Sequence, residues 1–391
     1  MKEAFLIAKC FIENESDNLT KKFIGQINAL EKIGYSVTFT AFHGGNLYII
    51  KDGTREKLTQ IDYNSKGFLK KLQFYWKYYE AILKYAKINF MTPNLVYARN
   101  MFYTFNSRKL LKFFNKNGVE IVMEIPTYPV KSEYKSIKNL ILKIILYLQT
   151  DLGRLNAKYV DLYAVIGEKC NNYFGRNAVN ISNGINVDFS PIKSNSINYK
   201  ECHLLALATM CKWHGYERVI EGIAEYYKQK RNIRIIFHLV GNDGDGSLNE
   251  WALLTKKLCL EDYVVFEGFL KGNQLNKMFD LCDIAIASLG GYKKGLYYAS
   301  DLKIREYCAR GIPFVFSTKD ESLLPIAEYI MKISNDNVPL NIEDVLNFYS
   351  KIKDNNKITE KLRTFAIENL SWETQFKKIL KELESQNNKN P

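Results

Sequence analysis

The chain is 391 residues long, room for two or three domains that each bury a core. Apolar residues make up 47% and charged residues 25%, which excludes a disordered or collagen-like chain. The net charge is +13, and 18 basic against 7 acidic residues fall in 51–150, so that window carries nearly all of the excess.

The opening stretch MKEAFLIAKCFIENES has an apolar run too short, and too soon acidic, for a signal peptide. It reads as a first core strand, Phe5–Ala8, in a cytoplasmic protein. A helix over Asn18–Ile33 and a strand over Ser36–Phe42 follow. Leu95–Ala98 predicts a strand, Ser107–Lys116 a helix and Val119–Ile125 a strand, then short strands at Leu162–Ile166 and Val179–Ile181. Polar Pro191–Lys200 reads as a domain boundary. The alternation then restarts with strands at His203–Ala208, Ile233–Val240, Val264–Phe269, Ile284–Ser288 and Phe314–Ser317. Helices intervene at Gly215–Lys230, Leu248–Leu258, Gln274–Leu281 and Asp301–Ala309, and further helices run from Ile342 to a fraying tail after Glu384.

This βαβα order predicts an α/β fold of two doubly wound, Rossmann-like domains, 1–190 and 191–370, with a terminal helix over 371–391 that returns to the first. Two such domains in series are expected to leave a cleft at the carboxyl ends of their sheets. Loops and helix N-termini meeting there suit an anionic ligand such as a nucleoside diphosphate.

Other classes find little support. The longest apolar stretch, near Leu140–Leu148, is broken by Lys143, short of the roughly 18–20 residues of a spanning helix. The seven cysteines include no C-x-x-C pair and read as reduced thiols, and the four histidines lack metal-ligand spacing. Within the basic window, Ser65–Lys87 and Lys131–Gln149 mix Lys with aromatic and aliphatic residues at helical spacing. That suits helices lying on an anionic membrane surface, and equally solvated helices with one core face. No nucleic-acid module accompanies the charge.

Ser300–Ser317, SDLKIREYCARGIPFVFS, is the clearest chemical stretch. Ser300–Asp301 opens a helix carrying Lys303, Arg305 and Glu306, and Arg310–Gly311 ends it before an apolar strand. Backbone N–H groups at the helix start can hold a phosphate, and a carboxylate one turn on can accept a ribose diol. A capped helix with a glycine stop needs no ligand.

The block resembles the donor-binding signature of family-4 retaining glycosyltransferases of the GT-B fold. Glu306, Ala309, Gly311, Ile312 and Pro313 match its second half. Tyr298 stands where the family has its first carboxylate, with Asp301 the nearest acid. Val179–Phe189 resembles the family's segment before the second domain. Leu207–Ile223, with Lys212, His214 and Arg218, resembles the diphosphate-binding loop. Leu239–Gly246 with Gly241, Val265–Leu275 with Gly268, Gly290–Gly291, and Ser371–Trp372 resemble four further segments, all in the family's order. In the first domain ENESDN, Glu13–Asn18, replaces the usual glycine-rich loop. Val122–Glu133 is similar to a segment of bacterial capsule- and exopolysaccharide-type members.

The resemblance implies transfer of a hexose-type sugar, with retention and without a protein nucleophile, from a nucleotide-sugar to a glycan or lipid-linked acceptor. The setting would be surface polysaccharide synthesis at the inner face of the cell membrane. It implies catalytic roles for Lys212, Glu306 and Glu124. Donor contacts fall to His214, Gly241, Gly268, Gly290, Gly291, Lys303 and Arg305, and substrate contacts to Arg99, Thr127, Tyr128, Tyr298 and Asp301. It implies no cofactor and no metal, and Asp243–Gly244–Asp245 has a metal motif's spacing but lies in a turn. A sugar-nucleotide epimerase or phosphorylase is a second reading of the same layout. A non-catalytic scaffold is a third, prompted by Tyr298, Thr209 and His214 at positions the family charges.

Overall fold

The structure, a computed structural model, describes residues 1–13, 18–63, 67–137, 139–194, 200–353 and 357–387. Residues 14–17 of the ENESDN loop, 195–199 of the polar linker and 388–391 of the tail lie outside the described residues. The chain forms two compact units, Met1–Gly184 with Trp372–Pro391, and Ile185–Ser371.

The first unit opens with β1 (Lys2–Phe11), α1 (Asn18–Lys32), β2 (Tyr35–His43), β3 (Asn46–Lys51), β4 (Thr54–Gln60) and α2 (Phe68–Ile88). It continues with β5 (Leu95–Arg99), α3 (Phe105–Lys116), β6 (Glu120–Tyr128), α4 (Leu140–Ala157), β7 (Leu162–Gly167), β8 (Asn172–Tyr173) and β9 (Arg176–Ile181). The sheet order is β4-β3-β2-β1-β5-β6-β7-β9-β8. The strands β2, β1, β5, β6, β7 and β9 are parallel, and β1, β5 and β7 are nearly continuous apolar runs, as burial on both faces requires. At β1 the register shifts between Leu6 and Cys10. Side chains satisfy the backbone there: Thr40 Oγ1 lies 3.1 Å from Ala8 N and 2.7 Å from Ala8 O, and Tyr78 donates to Ala8 O at 3.1 Å.

α2 presents Phe74, Tyr78, Tyr79, Ile82, Leu83 and Ala86 to the core and Lys70, Lys71, Lys77, Lys84 and Lys87 to solvent. The expected Ser65–Lys87 helix begins at Phe68 and is core-packed with a basic outer face; Ser65 and Lys66 lie outside the described residues. The Lys131–Gln149 segment is not one helix. A 3₁₀ turn covers Val130–Ser136, and α4 starts at Leu140, capped by Asn139 Oδ1 on Leu142 N at 2.9 Å.

The second unit contains β10 (Glu201–Leu207), α5 (Glu217–Tyr226), β11 (Arg234–Val240), α6 (Ser247–Lys257), β12 (Val264–Gly268) and α7 (Asn273–Leu281). It closes with β13 (Ile284–Ile286), α8 (Leu302–Arg310), β14 (Phe314–Phe316), β15 (Ile330–Lys332), α9 (Ile342–Ile352) and α10 (Ile358–Phe365). Its parallel sheet runs β12-β11-β10-β13-β14-β15. Ile185–Ser190 belongs to this unit. Ile185 N donates to Leu370 O at 2.9 Å, and Arg363 donates to Val187 O and Ser190 O at 2.9 and 2.6 Å.

The last helix, α11 (Trp372–Asn387), packs in the first unit. Trp372, Phe376, Ile379 and Leu383 enter its core beside Tyr97 and Phe23, and Gln375 Oε1 accepts Ser182 N at 3.0 Å.

Candidate active site

In each sheet the chain order of the parallel strands reverses beside one strand, and the loops at the carboxyl ends there are where folds of this layout take ligands. In the second unit that strand is β10, flanked by β11 and β13. The loop after β10 carries Cys211–Tyr216, and the loop after β13 carries Gly290 and Gly291. The two meet backbone to backbone: a Cβ on Gly215, whose φ is +69°, would stand 2.6 Å from Gly290 N. Leu289 N donates to His214 O at 2.7 Å.

α8 supplies the charge. Lys303 and Glu306, three residues apart, share a face of the helix. The Lys303 ammonium donates to Tyr216 Oη at 3.2 Å and lies 5.8 Å from the Trp213 ring. Among the described residues it has no carboxylate at ion-pair distance. Burial brings its pKa down to about 8, against the pull of Asp301. Lys294 lies over the other aromatic neighbour, 4.1 Å from the Trp213 ring. His214 is buried and accepts Cys211 N on Nδ1 at 3.1 Å, which leaves Nε2–H as its donor. Burial first, then Lys303 and Lys294, hold its pKa well below the ordinary histidine range, so the ring is neutral. A neutral histidine, aromatic rings and a half-buried ammonium are chemically suited to an anion.

Other expected donor residues fall differently. Lys212 turns outward to Glu250 at 2.5 Å, an ion pair with both partners more than half exposed, and its backbone N–H and carbonyl are taken by Asp245 and Lys293. Arg305 is a correction: its side chain is 0% exposed, and its guanidinium is spent on Asp320 (2.5 Å) and Ser322 (2.9 Å) in the loop after β14. It faces the core because it lies off the Lys303–Glu306 face. Glu306 Oε1 accepts Arg310 Nε at 3.0 Å, and Arg310 is held in turn by Asn276 Oδ1 at 2.9 Å. Asp301 does not cap α8; its Oδ2 accepts Ser288 Oγ at 2.7 Å. Tyr298 bridges Lys319, whose ammonium lies 5.4 Å from its ring. Gly241 and Gly268 meet through Gly241 N to Gly268 O at 2.7 Å. Asp243 and Asp245 close their own turn, accepting Gly246 N and Lys212 N. Among the described residues no group of three or more His, Cys, Asp or Glu is gathered to hold a metal.

In the first unit the reversal lies between β1 and β5. A cavity of about 200 Å³ opens there, lined by Ile7, Lys9, Tyr75, Arg99, Met101 and Pro126 among others. Glu124 lies beneath it, fully buried. It accepts Lys22 Nζ (2.8 Å), Gln26 Nε2 (2.7 Å) and Tyr97 Oη (2.8 Å), and Arg99 Nε stands 3.7 Å away. Burial pushes its carboxyl up, but Lys22 and Arg99 pull it further down, below the ordinary range. With its oxygens taken by three donors and out of reach of solvent, Glu124 has no oxygen turned to the cavity, and Arg99 stands beside it. Tyr128 turns to Tyr173, ring centroids 5.9 Å apart, and neither it nor Thr127 lines the cavity. Lys9 and Tyr75 do, and the sequence reading missed both. The signal was positional, a lone Lys inside a buried first strand.

Comparison with solved structures places this architecture. A glycosyltransferase from Rickettsia africae aligns over 98% of both chains with a TM-score of 0.62 at 14% identity. Sucrose-phosphate synthase from Thermosynechococcus elongatus aligns over 99% of this chain and 100% of its own, with a TM-score of 0.68 at 13% identity. The chain has the GT-B glycosyltransferase fold. The catalytic domain of starch synthase IV from Arabidopsis thaliana, bound to ADP and acarbose, shares this GT-B fold at a TM-score of 0.62 and 12% identity, over 98% and 99% of the two chains. No protein-family model and no curated protein matches this sequence.

Proposed function

We propose that this GT-B protein is a retaining glycosyltransferase. It moves a hexose-type sugar from a nucleoside diphosphate held by the second unit to a glycan or lipid-linked acceptor held by the first, in surface polysaccharide synthesis. The observation that carries the reading is Lys303: a half-buried ammonium, with no carboxylate at ion-pair distance among the described residues, where the chain order reverses between β10 and β13. A partly desolvated cation without an ion-pair partner is well placed for an anion to complete it. The ADP in the starch synthase neighbour supports a nucleotide as that anion.

In the reaction the bond from the anomeric carbon to the diphosphate breaks, and one to the acceptor oxygen forms on the same face. The acceptor proton passes to the departing diphosphate. Negative charge grows on that leaving group, where Lys303 and His214 Nε2–H stabilise it more than the ground state. Glu306, steadied by Arg310, holds the ribose hydroxyls. Tyr298 and Asp301 border the sugar. The reaction needs no resident metal or cofactor in this reading.

The acceptor side works at a membrane surface. No helix among the described residues is long and apolar enough to cross a membrane. Yet α4 leaves Leu140, Ile141, Ile144 and Leu148 each at least half exposed and buries only Asn156 and Ala157. Lys109, Lys112 and Lys116 of neighbouring α3 are exposed. An apolar helix flanked by cations suits an anionic bilayer, so we place the enzyme at the inner face of the cell membrane. The test is incubation with UDP-, GDP- and ADP-sugars and a membrane extract, followed by mass spectrometry. A glycosylated lipid or glycan with the donor's anomeric configuration supports the reading. Turnover of the sugar nucleotide without any acceptor, as an epimerase would give, contradicts it.

A further inference from the structure

We infer that the first-unit cavity takes an anionic group of the acceptor, a carboxylate or a phosphate borne on a sugar ring. The inference rests on the transferase reading only in calling that ligand the acceptor. Two cations line the cavity, Lys9 and Arg99, and no carboxylate does. The register shift in β1 puts Lys9 at the crevice, since Ala8 beside it is locked by Thr40 and Tyr78. Its ammonium rests 4.9 Å from the Tyr75 ring and 5.2 Å from that of Phe74, and it makes no ion pair among the described residues.

Arg99 is only partly compensated. Its nearest carboxylate, Glu124, stands 3.7 Å off and already accepts three closer donors, Lys22 among them. Lys22 and Arg99 therefore share one carboxylate, and Lys9 has none at ion-pair distance among the described residues. The cavity's size limits the ligand. About 200 Å³ falls below the roughly 300–1,000 Å³ of typical small-molecule pockets, so it suits one ring or one charged group rather than an oligosaccharide. The Tyr75 ring, stacked on Phe102 at 4.7 Å, walls the cavity beside Lys9.

The test titrates the full chain with glucuronate, glucose 1-phosphate and neutral methyl glucoside by saturation-transfer NMR, in wild type, Lys9→Gln, Arg99→Gln and Lys9→Arg. UDP is titrated in parallel. At least one anion should bind about tenfold tighter than the neutral glycoside, and which one identifies the carboxylate or the phosphate source. Lys9→Gln and Arg99→Gln should remove that preference, and Lys9→Arg should keep it. Equal binding of neutral and anionic sugars, or a preference that survives both Gln variants, overturns the inference. Loss of UDP binding alone would count against the donor reading and leave the charge preference of this cavity standing.

Discussion

The Lys303 ammonium stands 3.2 Å from the Tyr216 phenol oxygen and takes no carboxylate at ion-pair distance among the described residues. This links α8 to the loop after β10 and concentrates positive charge where the chain order of the second sheet reverses. Its pKa of about 8 is below the ordinary lysine value, so the fold favours the neutral amine, and the charged form burdens stability at neutral pH. That burden eases as pH rises through about 8 towards the ordinary value. Lys303→Met should therefore melt at or above the wild-type temperature at pH 7. A diphosphate favours the charged form, so UDP affinity in wild type should fall as pH rises through about 8. Calorimetry across pH 6.5–9.5, a range of about three units around that value, checks both.

Glu124 and Lys22 form a buried pair beneath the first-unit cavity. Removing one partner leaves the other charge uncompensated, a loss of about 3–5 kcal/mol. Glu124→Ala should lower the midpoint of urea unfolding accordingly, and Lys22→Met with Glu124→Gln should restore part of it. A Glu124→Ala protein as stable as wild type would show that the pair does not hold the site.

Gly215 allows its loop to touch the one carrying Gly290. A side chain there meets Gly290 N at 2.6 Å and costs about 1–2 kcal/mol for its positive φ alone. Gly215→Ala should therefore weaken nucleotide binding more than it lowers the melting temperature. Thermal shift with and without UDP separates the two effects.

Membrane docking through α4 is tested by Ile144→Asp with Leu148→Asp, both on its exposed face. Sedimentation with vesicles containing phosphatidylglycerol should drop at least about tenfold, since two buried aliphatic side chains contribute about 1.5–3 kcal/mol each. Soluble-donor binding should not change.

Much of this was legible in the sequence. The parallel strands were, because their apolar runs are short and bounded, as at Leu162–Gly167. The β3–β4 hairpin was not, although Asp52–Gly53 carries its signal: both adopt positive φ, as a tight hairpin turn requires. Lys303 and Glu306 were read correctly as sharing a helix, yet sequence could not tell which cation of that helix is half-buried. Arg305 lies two positions from Lys303 and faces the core, and Lys212 finds an acid, Glu250, on another helix. Which side chains are taken by protein partners depends on contacts between elements distant in the chain.

The most direct measurement is isothermal titration of UDP, GDP and ADP into wild type and Lys303→Met at pH 7. One of the three should bind wild type and lose about 1.5–3 kcal/mol in the variant, a ten- to hundredfold weakening. Binding of none, or equal binding by both proteins, would contradict a nucleoside diphosphate held at Lys303.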